Sequence, residues 1–132
     1  MITGLNHITI AVSDLAQSLK FYRDILGFKA HVKWQNGAYL SVGDMWFCLS
    51  CDESSPAQDY THIAFSISEA DFRLFSERVV AQGVNIWKEN RSVGLSLYIL
   101  DPDGHKLELH SGSLSSRLES LKEKPYKGLV WL

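Results

Sequence analysis

A chain of 132 residues is one ordinary domain or two fused half-domains, long enough for a real core, and a composition of 45% hydrophobic and 21% charged residues is globular. A net charge of -2 gives no reason to expect nucleic acid as a partner, and no stretch is apolar enough for a membrane. The N-terminus lacks a basic start and sets Asn6 and His7 among its apolar residues, so it does not read as a signal peptide and the chain is expected in the cytoplasm.

The first predicted element is an alternating strand in "LNHITIAV" (5–12), which puts His7, Thr9 and Ala11 on one side and Ile8, Ile10 and Val12 on the other. A helix follows, with Leu15, Leu19, Tyr22 and Leu26 on one face, Ser13 as the predicted cap and Gly27 as the stop. Three strands come next, "KAHVKW", "GAYLSV" and "MWFCLS", with turns at 35–37 and 43–44. Cys48 and Cys51 form a C-x-x-C at a strand end. A redox pair draws its reactivity from a helix start, so these are expected as two ordinary reduced thiols.

The polar segment "CDESSPAQDY" reads as a linker, after which the same plan returns. A strand sets His62, Ala64 and Ser66 against Ile63, Phe65 and Ile67. Ser68 caps a helix with Phe72, Phe75 and Val79 on its apolar face, and Gly83 ends it. His62 follows His7 by 55 residues, Ser68 follows Ser13 by 55, and Gly83 follows Gly27 by 56. Strands "VNIWKEN", "LSLYIL" and "HKLELH" complete the copy, the last entered through a turn at 101–104. In it Lys106, Glu108 and His110 oppose Leu107 and Leu109.

The expected fold is therefore α+β, two tandem βαβββ modules forming a cupped mixed sheet. The first module spans 1–50, the linker 51–59, the second module 60–111, and a C-terminal helix and tail 112–132. That helix aligns Leu114, Leu118 and Leu121, and Trp131 and Leu132 at its far end are expected to pack on another surface.

With the apolar strand faces under the helices, a polar face remains, carrying His7, His62 and Glu108. Imidazole nitrogen and carboxylate oxygen suit Zn²⁺, Fe²⁺ or Mn²⁺, and three protein ligands leave positions open for a substrate. A lone strand histidine is ordinarily just a hydrogen-bonded polar residue. Two at matched positions of a repeat are expected to converge if the sheets share a cavity. The first-module position matching Glu108 is Cys48, a possible fourth ligand that reads more simply as core.

The double βαβββ with His, His and Glu resembles the vicinal oxygen chelate superfamily. Within it, "LNHITIAVSDL", "GAYLSVGDMWFCLS", "DYTH", "WKENRSVG", "LDPDGHKLELHSG" and "SRLESLKEKPYKG" resemble the FosA-type fosfomycin glutathione transferases over nearly the whole chain. The resemblance implies a Mn²⁺-dependent, K⁺-stimulated homodimer that adds the glutathione thiol to the epoxide of fosfomycin. It also implies domain swapping, with His7 coming from one subunit and His62 with Glu108 from the other. Lys88, Ser92, Ser96, Tyr98 and Arg117 match phosphonate-binding positions, and Asn90, Ser92, Gly94 and Ser96 match a K⁺ loop. Thr9 matches a donor near the oxirane oxygen, Tyr39 a group near the incoming thiol, and Trp46 a wall against the substrate hydrocarbon.

Two positions depart from many such relatives: Val93 stands where "NRSEG" has an acid, and Ile63 where "YTHYAF" has a tyrosine. The expected consequences are altered K⁺ binding and weaker glutathione binding or subunit contact. The competing expectations are a hydrolase that opens the epoxide with water, for which Asp44 is a poor base, a transferase using another thiol, and a drug-binding protein of the same fold without catalysis.

Overall fold

The computed structural model describes residues 1–132 as eight strands and three α-helices. Strands β1 (His7–Val12), β2 (Lys29–Trp34), β3 (Gly37–Val42) and β4 (Met45–Cys51) form one sheet in the order β1-β4-β3-β2. Strands β5 (Ile63–Ser66), β6 (Ile86–Lys88), β7 (Leu95–Leu100) and β8 (Lys106–Ser111) repeat that order as β5-β8-β7-β6. In each sheet the first strand runs parallel to the last and the remaining pairs are antiparallel, so both sheets are mixed. The sheets are separate within one chain, and the single cup expected from the sequence is not closed by this chain alone.

Period-two alternation decides which face is covered. Ile10 and Val12 of β1, Phe47 and Leu49 of β4, Phe65 of β5 and Leu107 and Leu109 of β8 are buried, whereas His7 and Thr9 are exposed. One core serves both halves, because Phe65 packs its ring 5.0 Å from Phe28 and 5.9 Å from Phe47. A second, polar link ties the halves at the turn before β8. Tyr22 donates its hydroxyl to Asp101 at 2.7 Å, the Ser13 N–H donates to the Asp103 carboxylate, and His105 Nε2 lies 2.7 Å from the Ala11 carbonyl.

The Ser13–Asp103 contact bears on the capping expectation, which the structure corrects. Ser13 turns its N–H to Asp103, and the cap of α1 (Leu15–Leu19) is Asp14, whose carboxylate accepts from the Gln17 N–H. After α1 the chain runs on as one π-helical segment, Lys20–Ile25, where the Leu26 N–H reaches the Phe21 carbonyl. Phe21 and Tyr22 of this segment are both buried in the core. Ser68 caps α2 (Glu69–Ala81) as expected, and Gly27 and Gly83 end their helices at φ of 82° and 80°.

The tail helix α3 (Leu114–Glu123) buries Leu121 and leaves Leu114, Leu118, Trp131 and Leu132 exposed. No helix is long and apolar enough to cross a membrane.

Candidate active site: two open half-sites

On the second sheet, strand pairing aligns Ala64, Glu108, Tyr98 and Lys88 in one row and Ser66, His110 and Ser96 in the next. Paired residues face the same way, so one polar face carries all the chemistry of this module. Glu108, only 7% exposed, holds both oxygens on partners: Oε2 lies 2.9 Å from His62 Nε2, and Oε1 accepts from the Ser96 hydroxyl at 2.7 Å. A carboxylate this enclosed is tolerable because it is fully hydrogen-bonded. The face of β8 that the sequence marks as polar thus points a carboxylate and an imidazole at each other.

Around that pair lie the residues expected to grip an anion. Lys88 donates to the Tyr60 hydroxyl and sits over the rings of Tyr60 and Tyr98, at 4.7 and 4.9 Å from their centroids. The hydrogen bond to Tyr60 is the chief reason the Lys88 ammonium is held above the usual lysine range. It therefore stays charged at neutral pH. Arg117 donates to the Val93 carbonyl at 3.1 Å and to the Tyr126 hydroxyl at 3.3 Å. With His110, Gly94 and Ser116 it lines a cleft of about 270 Å³.

Asn90, Ser92 and Gly94 are folded on one another. The Asn90 carboxamide oxygen accepts from the Ser92 N–H and hydroxyl, and its nitrogen donates to the Gly94 carbonyl at 2.9 Å. Ser96, the fourth residue of the expected K⁺ set, is turned instead to Glu108 and His110.

The first sheet presents a different surface. His7 pairs with Trp46, and Thr9 with Cys48, which pairs in turn with Tyr39. Trp34, Tyr39, Trp46 and His7 form a continuous aromatic row, with successive ring centroids 4.8, 5.1 and 4.4 Å apart. All three large rings are more than a third exposed. Cys48 occupies the row that Glu108 occupies in the second sheet, as the repeat implies, and is a buried free thiol.

His7 does not join His62 and Glu108 within one chain. Its Nδ1 lies 2.7 Å from Asn6 Oδ1, and no three His, Cys, Asp or Glu side chains of a single chain cluster as a metal site requires. Within one chain, therefore, the repeat alone does not bring the three together, although the two modules share a core. Sequence reasoning also left Tyr60 and His110 without roles. Alternation had put His110 beside Glu108, but its bond to Ser96 depends on the β7–β8 register.

Residues 4–109 match the Glyoxalase/Bleomycin resistance protein/Dioxygenase superfamily, and the chain belongs to it. Among its relatives, glutathione transferase FosA of Serratia marcescens is 54% identical, over 99% of this chain and 96% of that protein. Metallothiol transferase FosB of Staphylococcus haemolyticus is 44% identical, over 96% of each. The solved structure of the fosfomycin resistance protein FosX from Listeria monocytogenes, complexed with Mn(II) and sulfate ion, superposes with a TM-score of 0.83 at 33% identity, covering 91% of this chain and 98% of that one. The resemblance read from the sequence motifs is borne out.

Proposed function

We propose that the protein is a metal-dependent glutathione transferase that opens the epoxide of fosfomycin and so confers resistance to it. The observation that carries this reading is the His62–Glu108 pair, a nitrogen and an oxygen donor 2.9 Å apart on an open face that also carries Lys88 in the same row as Glu108. The donor set fits a divalent ion of Mn²⁺ type, with His7 as third ligand. Since His7 lies apart in its own chain, the site is completed by a second copy: His7 of one subunit meets His62 and Glu108 of the other. Two further features support that arrangement. Strands β1 and β5 are both sheet edges, and a cleft of about 530 Å³ lined by Leu5, Ile8, Val42, Met45, Ile63 and Phe65 borders them.

Bound Mn²⁺ supplies Lewis acidity toward the epoxide oxygen. Lys88, Tyr98, Ser92, Ser96 and Arg117 hold the phosphonate, the two cations by charge-assisted hydrogen bonds. Trp46 packs against the small hydrocarbon part and keeps water from it. Sulfur attacks a ring carbon as the carbon–oxygen bond breaks, and Thr9 donates its hydroxyl hydrogen bond to the oxygen that gains charge. Tyr39, two strands away in the same row as Thr9, is assigned to help the thiol ionise, its proton passing to solvent and the ring-opened alkoxide taking one back from solvent. K⁺ in the 90–96 loop would require Asn90, Ser92 and Gly94 to trade their mutual bonds, and Ser96 its bonds to Glu108 and His110, for the ion, and Val93 removes a negative charge there. Glutathione and the free thiols Cys48 and Cys51 suit a cytoplasmic location.

The test is product analysis by mass spectrometry of fosfomycin incubated with protein, Mn²⁺ and either glutathione, cysteine or water alone. The glutathione adduct is expected. A diol would mean hydrolysis, a cysteine adduct alone a different thiol, and unchanged drug a binding protein.

A further inference from the structure

Beneath Glu108 a second imidazole is built into the sheet. His110 sits opposite Ser96 in the β7–β8 register, its Nδ1 is 2.7 Å from the Ser96 hydroxyl oxygen, and that hydroxyl is 2.7 Å from Glu108 Oε1. Ser96 has one proton to give. An ionised Glu108 can only accept, so the hydroxyl donates to Oε1 and must itself accept from His110, which fixes the proton on Nδ1. The opposite tautomer would leave two acceptor oxygens 2.7 Å apart with no hydrogen between them.

Two glycines leave the room that the ring occupies. A Cβ on Gly94 would stand 3.3 Å from its Cε1, and one on Gly112 only 2.6 Å from its Nε2. His110 Nδ1 additionally lies 3.5 Å from Glu108 Oε1.

Resting on the metal-site reading above, we infer that His110 is a positioning residue for the metal carboxylate, acting through Ser96. The relay His110 to Ser96 to Glu108 engages Oε1 and fixes the orientation of the carboxylate, with Oε2 beside His62 Nε2, so that Glu108 and His62 would hold the ion in a set geometry. Outer hydrogen bonds of this kind typically change metal affinity by about 10- to 100-fold.

The experiment is Mn²⁺ titration of metal-free protein by electron paramagnetic resonance, without K⁺ or substrate, so that other duties of Ser96 are not read. His110→Phe, which fills the ring space without a donor, is expected to weaken binding about 10- to 100-fold. His110→Asn, which keeps an N–H near the Nδ1 position, is expected to restore most of it. Ser96→Ala combined with His110→Phe should bind no more weakly than Ser96→Ala alone, because the two act in series. Wild-type affinity in His110→Phe, or losses that multiply in the double variant, overturns the relay. Wild-type protein that binds no Mn²⁺ overturns the metal-site reading itself. Independently of metal, ¹⁵N NMR of the neutral His110 ring is expected to find the proton on Nδ1, and finding it on Nε2 overturns the relay even if the variants do not fold.

Discussion

Glu108 concentrates the chemistry of the second sheet in one side chain, since its burial is offset only by His62 and Ser96. Glu108→Gln keeps the shape and the acceptor for Ser96 while deleting the charge that a divalent ion needs. Mn²⁺ affinity should fall roughly 100-fold, equivalent to about 2.7 kcal/mol, with thermal stability held or slightly raised as a buried charge is removed. Calorimetric titration and a melting curve on the same sample check both. Thr9 makes the contrasting case. It lies exposed on the first sheet, so Thr9→Val should leave Mn²⁺ binding and folding intact and lower kcat by roughly 100-fold if its hydroxyl donates only as the epoxide oxygen gains charge. A loss confined to KM would remove Thr9 from the ring-opening step.

The turn leading into β8 shows what an element does beyond carrying a ligand. Asp101 accepts from the Tyr22 hydroxyl and from the N–H groups of Asp103 and His105, which joins the second sheet to the first helix. Burial outweighs those bonds and raises the Asp101 carboxyl above its ordinary 3.8, and burial beside Asp101 raises Tyr22 far above its ordinary 10.0. Both folded values lie above the unfolded ones. Asp101 therefore contributes stability in full below pH 3.8 and loses it as pH rises through its raised value, while Tyr22 contributes in full below pH 10.0 and loses it above. Tyr22→Phe should cost about 1–3 kcal/mol at neutral pH by stripping a partner from a buried carboxylate. It should also flatten the alkaline limb of a urea-unfolding series taken from pH 9 to 11; an unchanged alkaline limb would show that Tyr22 does not carry it.

Elements of this kind also mark how far the sequence could be read. Strands β2, β3 and β7 fall where alternation and turn residues put them, because each is bounded by its own local signals. The cap is Asp14 and not the expected Ser13, and the Asp103 carboxylate that takes the Ser13 N–H is 90 residues away in the sequence. The π-helical turn has no sequence spacing of its own and so could not be read in advance. His62 and Glu108 were legible from the repeat and the resemblance. The Ser96–His110 contact was not, because it needs strand register.

At the scale of the whole molecule, one half-site offers the His62–Glu108 pair with cations and the other an aromatic row with Thr9 and His7, and a single chain does not bring the three proposed ligands together. Sharing of sites between two copies makes a sharp prediction, since each site then draws its ligands from both subunits. His7→Ala and Glu108→Gln chains are each expected to be inactive alone. Mixed by co-refolding, they form heterodimers in which one site pairs an intact His7 with an intact His62 and Glu108. Activity against fosfomycin should return to about a quarter of wild type in a random equal mixture. No recovery in heterodimers proven to form, or full activity of the His7→Ala chain by itself, would contradict a metal centre shared between subunits.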